Sequence, residues 1–400
     1  MIPMQQHFDS VTYALGNVEI AAQMEQVRPL PVFSEEACAF LSALSARILK
    51  DAEAKAFPDV MTLGFWCRPA ALRQMQRVYE AEKNRIGRGI VFHIAPSNVA
   101  VNFAYSCLAA FLAGNASIVR LPSKDFPQVD VLCRIFAETL AEFPALFPYF
   151  LFVRYGHVQE VNEHYSRMCQ TRVVWGGDAT IEAIRRAPLT PRANEITFAD
   201  RHSLAVLDAD AYLAAEDKAR IAQDFYNDTY LSDQNACTAP HFVIWLGTAV
   251  AAAQEVFWNA LHEFVGARYT MQAVQAVDKL TQLYRLGACF EVRQVPAEDN
   301  LITRVRVAKL TEEMTAYRAG SGFFIEYRAQ KLAEIRPLCG ISCQTLSCYG
   351  VQRDALLQEI LAMRPDGVDR IVPLGRTMDF ALVWDGVDLI RTMSRVISTI

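Results

Sequence analysis

The 400-residue sequence predicts an α/β fold made of two lobes. From Gly89 onward, apolar strands alternate with helices, a pattern typical of a parallel sheet that is covered on both faces. The same alternation starts again near Ser203, which indicates a second unit of the same kind. Hydrophobic residues make up 52% of the chain and charged residues 21%, so the chain can bury a large core or form two domains.

The first ninety residues are predicted to be mainly helical. Their clearest helix is SEEACAFLSALSARILKDAEAK, which begins with Ser34 as a predicted N-cap and continues with apolar residues at helical spacing. The stretch MIPMQQHFDSVTYALGNVEIAAQ lacks the basic start and apolar run of a secretion signal. We therefore expect a cytoplasmic location, where the ten cysteines would be free thiols.

The first lobe is predicted to run strand, helix, strand through GIVFHIAPS, NVAVNFAYSCLAAFLAGN and ASIVRLPS. A helix (FPQVDVLCRIFAETLAEF), two strands (YFLFVRYG and TRVVWGG) and another helix (DATIEAIRRA) follow. Residues 99–119 are uncharged and long enough to cross a bilayer, but they contain polar residues and have no basic flank. They are therefore predicted to be a buried helix followed by a strand, not a transmembrane segment.

The second lobe is predicted to contain the strands SLAVLDAD and HFVIWL and the long helix AAAQEVFWNALHEFV. The formal net charge of the whole chain is −5, and its Lys and Arg residues are dispersed. No basic stripe with interleaved aromatic residues indicates nucleic acid as a partner, so that class of function is disfavoured.

The loop HIAPSNVA, residues 93–100, follows a strand and opens a helix. A helix N-terminus after a parallel strand presents backbone N–H groups to phosphates and to developing oxyanions. Asn98 adds a side-chain amide donor there. The alternative is that Ser97 or Asn98 only caps the helix.

Two further loops could contact a nucleotide. In WGGDAT, residues 175–180, paired glycines allow close approach of a ligand, although the motif is not the G-x-G-x-x-G fingerprint and such turns are common. In RLPSK, residues 120–124, Arg120 and Lys124 could meet a phosphate, or they could simply face water.

Cysteine chemistry needs a thiolate in a partly open, polar environment. Cys237 fits this requirement best, because Asp233, Gln234, Asn235 and Thr238 surround it. Six other cysteines are interpreted as core thiols: Cys38, Cys107, Cys133, Cys339, Cys343 and Cys348. No C-x-x-C pair indicates a metal site, and the strand HFVIW is expected to carry His241 away from the thiol.

Taken together, these segments resemble a known family. HIAPSNVAVNFAYSCLAAFLAGNASIVRLPSK resembles the cofactor-domain core of the aldehyde dehydrogenase superfamily, and within it the acyl-CoA reductases related to the fatty acid reductase of bacterial bioluminescence (LuxC). The likeness extends in the same order to FPDVMTLGFWCR, VVWGGDATIEAIR, DQNACTAPH and GVDRIVPLGRTMDFALVWDG. Several motifs in register are far more specific than any one of them alone.

This resemblance implies an aldehyde dehydrogenase-like fold with a Rossmann-type cofactor domain, an α/β catalytic domain and a small oligomerisation element. We expect a helical N-terminal part with the NADP-binding domain at residues 1–202 and the catalytic domain at 203–365. Residues 366–400 are expected to pack back on the body or to form an oligomer interface. The residues implied to bind the cofactor are Ala95, Pro96, Ser97, Arg120, Ser123, Lys124, Trp175, Gly176, Gly177 and Asp178.

The resemblance also implies the chemistry. Cys237 matches the thiol that attacks the acyl-CoA carbonyl and expels CoA, and Asn98 matches the asparagine that holds the oxyanion together with the cysteine N–H. Hydride from NADPH would then convert the acyl thioester to an aldehyde. Acyl-CoA or another activated acyl donor is the expected substrate, and an acyl-transferring partner enzyme and a homo-oligomer are further expectations.

Two departures from the superfamily pattern affect this expectation. The ELGG motif, whose glutamate activates water in hydrolytic members, is absent from ANEITFADRHS, where Glu195 is a candidate acid or base. The KPSE pattern is replaced by Leu121, Pro122, Ser123 and Lys124, so a positive charge stands where an acid would repel a 2′-phosphate. These departures favour acyl exchange over hydrolysis and NADPH over NADH. The alternatives are a CoA-independent aldehyde dehydrogenase and a noncatalytic subunit that binds an acyl group or a nucleotide.

Overall fold

The computed structural model of the protein describes residues 10–399. The first nine residues belong to the stretch expected to lack a secretion signal, and they and the final residue lie outside the described part. The chain forms two compact units, one from residues up to Ala199 together with those from Ala381, the other from Asp200–Phe380.

The boundaries between these units differ from those predicted. They fall at 199/200 and 380/381 instead of 202/203 and 365/366. A strand at Arg370–Pro373 pairs with one at Cys343–Tyr349, so residues just after 365 belong to the second sheet. The predicted C-terminal segment 366–400 is therefore divided between the two units.

The first unit contains two kinds of element, which we number in chain order. Its strands are β1 (Thr12–Leu15), β2 (Arg85–Gly87), β3 (Ile90–Ile94), β4 (Ala116–Arg120), β5 (Phe150–Arg154), β6 (Thr171–Trp175) and β7 (Asn194–Phe198). Its helices before residue 200 are α1 (Val18–Met24), α2 (Glu35–Lys50), α3 (Pro58–Trp66), α4 (Pro69–Val78), α5 (Asn102–Leu112), α6 (Pro127–Leu140), α7 (Gln159–Met168) and α8 (Asp178–Arg185).

The second unit follows the same numbering. Its strands are β8 (His202–Asp208), β9 (Pro240–Leu246), β10 (Val292–Gln294), β11 (Thr303–Val307), β12 (Phe323–Arg328), β13 (Cys343–Tyr349) and β14 (Arg370–Pro373). Its helices are α9 (Ala209–Ala214), α10 (Lys218–Thr229), α11 (Val250–Gly266), α12 (Ala273–Cys289) and α13 (Arg353–Met363). The chain then returns to the first unit with β15 (Val383–Trp384), β16 (Val387–Asp388), α14 (Leu389–Met393) and β17 (Ser394–Val396).

The main sheet of the first unit has six strands in the order β1-β5-β4-β3-β6-β7. All neighbours are parallel except β1, which pairs antiparallel with β5 at the edge. The predicted parallel sheet is thus confirmed, whereas the antiparallel edge strand was not predicted. The predicted N-cap is also confirmed, because Ser34 Oγ accepts a hydrogen bond from the Ala37 N–H.

Helix α5 accounts for the uncharged stretch 99–119. Every residue from Phe103 to Leu112 is buried, and β4 follows directly, so the prediction of a buried helix and a strand is confirmed. Helices α2 and α6 pack on the same core, where the Phe40 ring stacks on Phe150 at 5.1 Å. Within residues 10–399, no helix is long and apolar enough to cross a bilayer.

The sheet of the second unit has seven strands in the order β10-β11-β12-β9-β8-β13-β14. Only β10, at one edge, runs antiparallel to its neighbour. Alternate residues of β8 and β9 face opposite sides, with Leu204 and Phe242 in one apolar cluster and Ala205 and Val243 in the other. Both faces of this sheet are therefore covered, as predicted for a parallel α/β unit.

Candidate active site

The strand order of the first sheet reverses at one point, next to β3. From β3 the chain moves outward through β4 and β5, and it then returns to place β6 on the other side of β3. The order therefore reverses between β3 and β6. In open α/β sheets, ligands bind at this reversal, outside the carboxyl ends of the strands. The predicted loop motifs 93–100 and 175–180 begin at the ends of β3 and β6, so both leave the sheet at that edge.

The loop after β3 does not serve as a simple helix cap. Helix α5 begins at Asn102 with Val101 as N-cap, and no side chain caps its first turn. The helix thus starts four residues later than the sequence pattern predicts, and the alternative that Ser97 or Asn98 only caps it is wrong. Both residues are exposed, while Ala95 and Pro96 are half-buried.

The glycine pair after β6 leaves room for a ligand. Gly177 is the N-cap of α8, and a Cβ atom at this residue would meet no atom within 4 Å. A Cβ at Gly176 would meet the side chain of Thr180 at 3.0 Å. Gly177 and Asp178 are exposed at the first turn of α8. This open helix N-terminus fits the phosphates of a nicotinamide dinucleotide, because its backbone N–H groups and dipole favour an anion.

The two basic residues after β4 differ in their surroundings. Arg120 donates to the Gly156 carbonyl at 3.0 Å, and its guanidinium lies 4.7 Å from the centre of the Tyr155 ring. Lys124 is exposed, and its ammonium lies 5.1 Å from the Phe126 ring centre. Arg120 is thus engaged with the end of β5, whereas Lys124 is the basic group of this loop that is open to solvent.

Trp175 belongs to the core of the first unit. Its ring stacks on Phe198 at 3.7 Å, and its indole N–H donates to Ser106 Oγ at 3.0 Å. Ser106 in turn lies 2.8 Å from Nδ1 of His93, whose Nε2 lies 3.2 Å from Ser117 Oγ. Ser106 Oγ thus links the indole of Trp175 to the imidazole of His93. These contacts give Trp175 a packing role, so we do not include its side chain in the proposed cofactor site.

Glu195 is fully engaged by arginines. It lies on the edge strand β7, where one carboxylate oxygen accepts from Arg172 Nε at 2.8 Å and the other from Arg185 Nε at 2.7 Å. Arg172 is buried and also donates to the Ala187 carbonyl at 2.7 Å. Both carboxylate oxygens are thus taken up by charge-assisted hydrogen bonds to guanidinium groups. The geometry therefore favours a structural role over the predicted acid or base.

Cys237 lies in a loop at the amino end of the second sheet. Helix α10 ends at Thr229, one turn of 3-10 helix follows, and β9 begins only at Pro240. Asp233 and Gln234 both adopt left-handed backbone conformations, with φ of 50° and 58°. Such conformations cost free energy in residues other than glycine, so other contacts must hold the loop.

Gln234 supplies those contacts. It is buried, and its amide nitrogen donates to the carbonyls of Pro240 and Phe323 at 2.9 and 3.1 Å. Its amide oxygen accepts from the backbone N–H groups of Gly322 and Phe323 at 2.9 and 3.1 Å. These four hydrogen bonds satisfy the side chain and fix the Cys237 loop against the start of β12.

Strands β8 and β13 complete the surroundings of the thiol. Ser203 Oγ donates to the Cys237 carbonyl at 2.7 Å and accepts from the Thr345 N–H at 3.2 Å. Gln344 Nε2 donates to Cys237 Sγ at 3.3 Å. The Cys237 residue itself is half-buried.

Two ionisable side chains, Arg318 and His241, bear on the electrostatics around Cys237. The Arg318 guanidinium lies close enough for its charge to interact with the thiol, and burial lowers the pKa of Arg318. Burial also lowers the pKa of His241 to about 3, and its Nδ1 has no hydrogen-bond partner. His241 is therefore a neutral imidazole and a poor general base.

The other cysteines differ from Cys237 in access. All ten are free thiols, and the buried ones are Cys67, Cys107, Cys133, Cys169, Cys339, Cys343 and Cys348. Burial raises the pKa of Cys107, Cys133 and Cys169 to about 12. Within residues 10–399, no group of three or more His, Cys, Asp or Glu side chains could hold a metal ion.

Three residues of this site were not identified from the sequence: Ser203, Arg318 and Gln344. They lie far from Cys237 along the chain, and only the pairing of β8, β9 and β13 brings two of them to the thiol. One local signal exists, since Gln344 and Thr345 are adjacent polar residues in the otherwise apolar buried strand CQTLSCY.

The fold is that of the aldehyde dehydrogenases. A 1-pyrroline-5-carboxylate dehydrogenase variant from Thermus thermophilus superposes with a TM-score of 0.60 at 18% identity, covering 95% of this chain and 85% of that one. Lactaldehyde dehydrogenase from Escherichia coli gives 0.62 at 15% identity, with 94% and 87% covered. Aldehyde dehydrogenase 21 from Physcomitrella patens gives 0.66 at 11% identity, with 94% and 88% covered.

Within this class, the chain belongs to the LuxC acyl-CoA reductase family, whose model matches residues 14–271. The matched region contains the loops after β3 and β6, Lys124 and Cys237. No curated protein sequence matches the chain. The resemblance noted from the sequence motifs is thus confirmed, and with it an oxidoreductase of the acyl-CoA reductase family.

Proposed function

We propose that the protein reduces acyl-CoA to an aldehyde through an acyl thioester on Cys237, with NADPH as the reductant. The observation that carries this proposal is the environment of Cys237. The residue is half-buried, and its sulfur receives an amide hydrogen bond from Gln344 and lies near the positive charge of Arg318. A thiol in such surroundings is the type that forms covalent acyl intermediates.

In the first step, the Cys237 thiolate attacks the thioester carbonyl of acyl-CoA. The tetrahedral oxyanion that forms needs preorganised donors, and we assign this role to the Asn98 amide and the Cys237 backbone N–H. Collapse of the intermediate expels CoA as its thiolate and leaves the acyl group on Cys237.

In the second step, the acyl thioester becomes a thiohemiacetal oxyanion, whose carbon–sulfur bond then breaks to release aldehyde and the Cys237 thiolate. NADPH supplies the hydride for this reduction when it is bound. The overall reaction consumes one acyl-CoA, one NADPH and one proton, and it yields aldehyde, free CoA and NADP+.

The cofactor site that we propose is the carboxyl edge of the first sheet. The backbone of Ser97 and the Gly176–Gly177 pair would approach the nucleotide, with Ala95, Pro96 and Asp178 beside them. Lys124, with Ser123, follows the strand next to β3, which is where a Rossmann-type unit contacts the adenosine ribose. An exposed ammonium at this point favours a 2′-phosphate, and Arg120 holds the loop ends in place.

Reduction is favoured over hydrolysis because the site offers no free glutamate base at Glu195. Both oxygens of that carboxylate are held by arginines. An acyl thioester that is not attacked by activated water survives until hydride is delivered. A homo-oligomer, a cytoplasmic location and a partner enzyme that transfers acyl groups are additional parts of this proposal.

The proposal is tested by aldehyde formation from acyl-CoAs of graded chain length, measured with NADPH consumption. Replacing the nucleophile in Cys237→Ala should lower kcat by about a thousand-fold or more, because the proposed site then has no thiol to form the acyl thioester. The matched control is Cys289→Ala, which removes an exposed cysteine and should leave kcat unchanged. Undiminished aldehyde formation by Cys237→Ala would refute the assignment.

A further inference from the structure

A buried glutamine side chain faces the sulfur of Cys237. Gln344 is fully buried, and its Nε2 lies 3.3 Å from Sγ in donor geometry. The hydroxyl of Thr345 donates to the amide oxygen of Gln344 at 3.3 Å. In this arrangement the amide oxygen faces the Thr345 hydroxyl and the amide nitrogen faces the sulfur.

The backbone places this amide through irregular strand pairing. Along β8 and β13, Cys343 pairs with His202 and Leu346 with Leu204, so two residues of β13, Gln344 and Thr345, stand opposite Ser203 alone. β-Bulges of this kind redirect side chains and are frequent beside active sites.

The pairing of β8 with β9, on the other side of Ser203, also contains a register shift. There Ser203 pairs with Pro240 and Leu204 with Phe242, which leaves His241 of β9 as the extra residue. Ser203 Oγ bonds both the Cys237 carbonyl and the Thr345 N–H. The nucleophile and the amide are therefore fixed to the same residue of β8, which makes their relative position rigid.

We propose that Gln344 is the hydrogen-bond donor that stabilises the Cys237 thiolate, both as the attacking nucleophile and as the group released with the aldehyde. The role in acyl transfer rests on the proposed function, whereas the effect on the free thiol does not. An N–H group binds a thiolate more strongly than a neutral thiol, so its donation favours ionisation. A glutamine amide does not titrate, so it gives this support at every pH at which the protein is folded.

The same hydrogen bond acts twice in the reaction. Before attack, it holds the sulfur electron pair in one direction and stabilises the negative charge. When the carbon–sulfur bond of the thiohemiacetal breaks, the electron pair returns to sulfur and the amide again stabilises the thiolate. While the acyl group is attached, sulfur carries no charge, so the bond is weaker in the intermediate than on either side of it.

The other charged groups around the thiol do not replace this donor. Arg318 donates to the carbonyls of Thr315 and Arg201 at 2.6 and 2.9 Å, and its positive charge is partly balanced by Asp200 at 3.8 Å. Arg201 is paired with Asp369 at 2.6 Å.

Three further groups flank the loop without supplying a cation. Asp233, in the same loop, accepts from the Tyr269 hydroxyl at 2.6 Å. Burial lowers the pKa of His202 to about 4, so this histidine, like His241, is neutral near pH 7. Arg318 is thus the positive charge that assists the amide, and Gln344 is the direct donor.

The test measures the ionisation of Cys237 without acyl-CoA or NADPH. The rate of iodoacetamide alkylation is followed from pH 5 to 10, and the Cys237 peptide is quantified by mass spectrometry so that other cysteines do not contribute. In Gln344→Met, which keeps the length of the side chain but removes the donor, the apparent thiol pKa should rise by about one to two units. The alkylation rate at pH 7 should fall about ten-fold or more, and it should recover at the alkaline end.

Two further variants separate loss of the donor from damage to the fold. Gln344→Asn keeps an amide, but its side chain is too short to reach the sulfur. The pKa of the Cys237 thiol should therefore rise as it does in Gln344→Met. Gln254→Met is the matched control, because it removes another fully buried glutamine, one that bonds Glu326 and not the thiol. This control should leave the Cys237 pKa unchanged.

An unchanged Cys237 pKa in Gln344→Met and Gln344→Asn would overturn the inference, as would an equal loss of alkylation at every pH. The outcome is independent of the proposed function. If the pKa rises but the unmodified protein makes no aldehyde, the reductase assignment fails and the donor role stands. If aldehyde forms through Cys237 but the Cys237 pKa is unchanged in the Gln344 variants, the donor role fails and the reductase assignment stands.

Discussion

At the scale of single residues, Cys237 differs from the seven buried thiols in being half-buried and in accepting a hydrogen bond from a side-chain amide. Burial raises the pKa of the core thiols, and Cys237 instead has a donor and a cation beside it. Two basic side chains of the first unit also differ in whether they are hydrogen-bonded or exposed to solvent. Arg120 is bonded to backbone carbonyls, whereas Lys124 is exposed at the edge where the adenosine ribose is expected.

Lys124 provides a prediction for cofactor choice. In Lys124→Glu, a negative charge replaces the positive one, so the ratio of kcat/KM for NADPH to that for NADH should fall by about ten-fold or more, the effect of losing a contact worth about 1.4 kcal/mol. Steady-state kinetics with both cofactors measures the ratio. The matched control is Lys55→Glu, at an exposed lysine distant from the β3–β6 edge in sequence, which should leave it unchanged. An unaltered ratio in Lys124→Glu would remove this residue from the cofactor site.

At the scale of secondary-structure elements, hydrogen bonds between buried side chains connect the strands around the reversal of strand order in the first sheet. His93 on β3 bonds Ser106 on α5 and Ser117 on β4, and Ser106 also accepts from Trp175 on β6. Burial lowers the pKa of His93 to about 3, so the ring stays neutral and the polar chain remains satisfied. The three strands at the order reversal are therefore held together by side chains as well as by the backbone.

This arrangement predicts acid sensitivity. Below a pH of about 6.5, the unfolded chain protonates His93 while the folded protein does not, so stability is lost as pH falls from 7 toward 3. The contribution of His93 to the loss should reach about 2 kcal/mol at pH 5. Denaturant unfolding measures the free energy of unfolding at pH 7 and pH 5. The decrease between these two pH values should be correspondingly smaller in His93→Gln than in the unmodified protein.

The matched control for this prediction is His157→Gln, at an exposed histidine of the same unit. It should retain the pH effect of the unmodified protein. An identical pH effect in His93→Gln and in the unmodified protein would contradict the neutral, buried state of His93.

At the scale of the whole molecule, the sequence predicts the fold class because strands β3 to β6 and the intervening helices have strong hydrophobic patterns. The loops around Asn98, Gly177 and Cys237 were also predictable, since polar residues interrupt those patterns at strand ends. The second compact unit extends to Phe380 because the short strand β14 pairs with β13, a pairing that is not visible in the sequence.

Other features required three-dimensional contacts. Gln344 lies 107 residues from Cys237 along the chain, and two register shifts around Ser203 bring it to the sulfur. Neither the shifts nor the partners of Glu195 leave a recognisable sequence signal. Trp175 likewise sits in a loop motif that predicts ligand contact, but its ring packs inside the unit.

Reduction by the proposed route requires a covalent acyl group on Cys237, which a single-turnover experiment can detect. The protein is mixed with a long-chain acyl-CoA without NADPH, and the mass of the Cys237 peptide is measured before and after NADPH is added. We predict a stoichiometric acyl adduct on Cys237 that disappears as an equal amount of aldehyde is released. Aldehyde release without any adduct on Cys237, or an adduct that yields only carboxylic acid after NADPH is added, would contradict it.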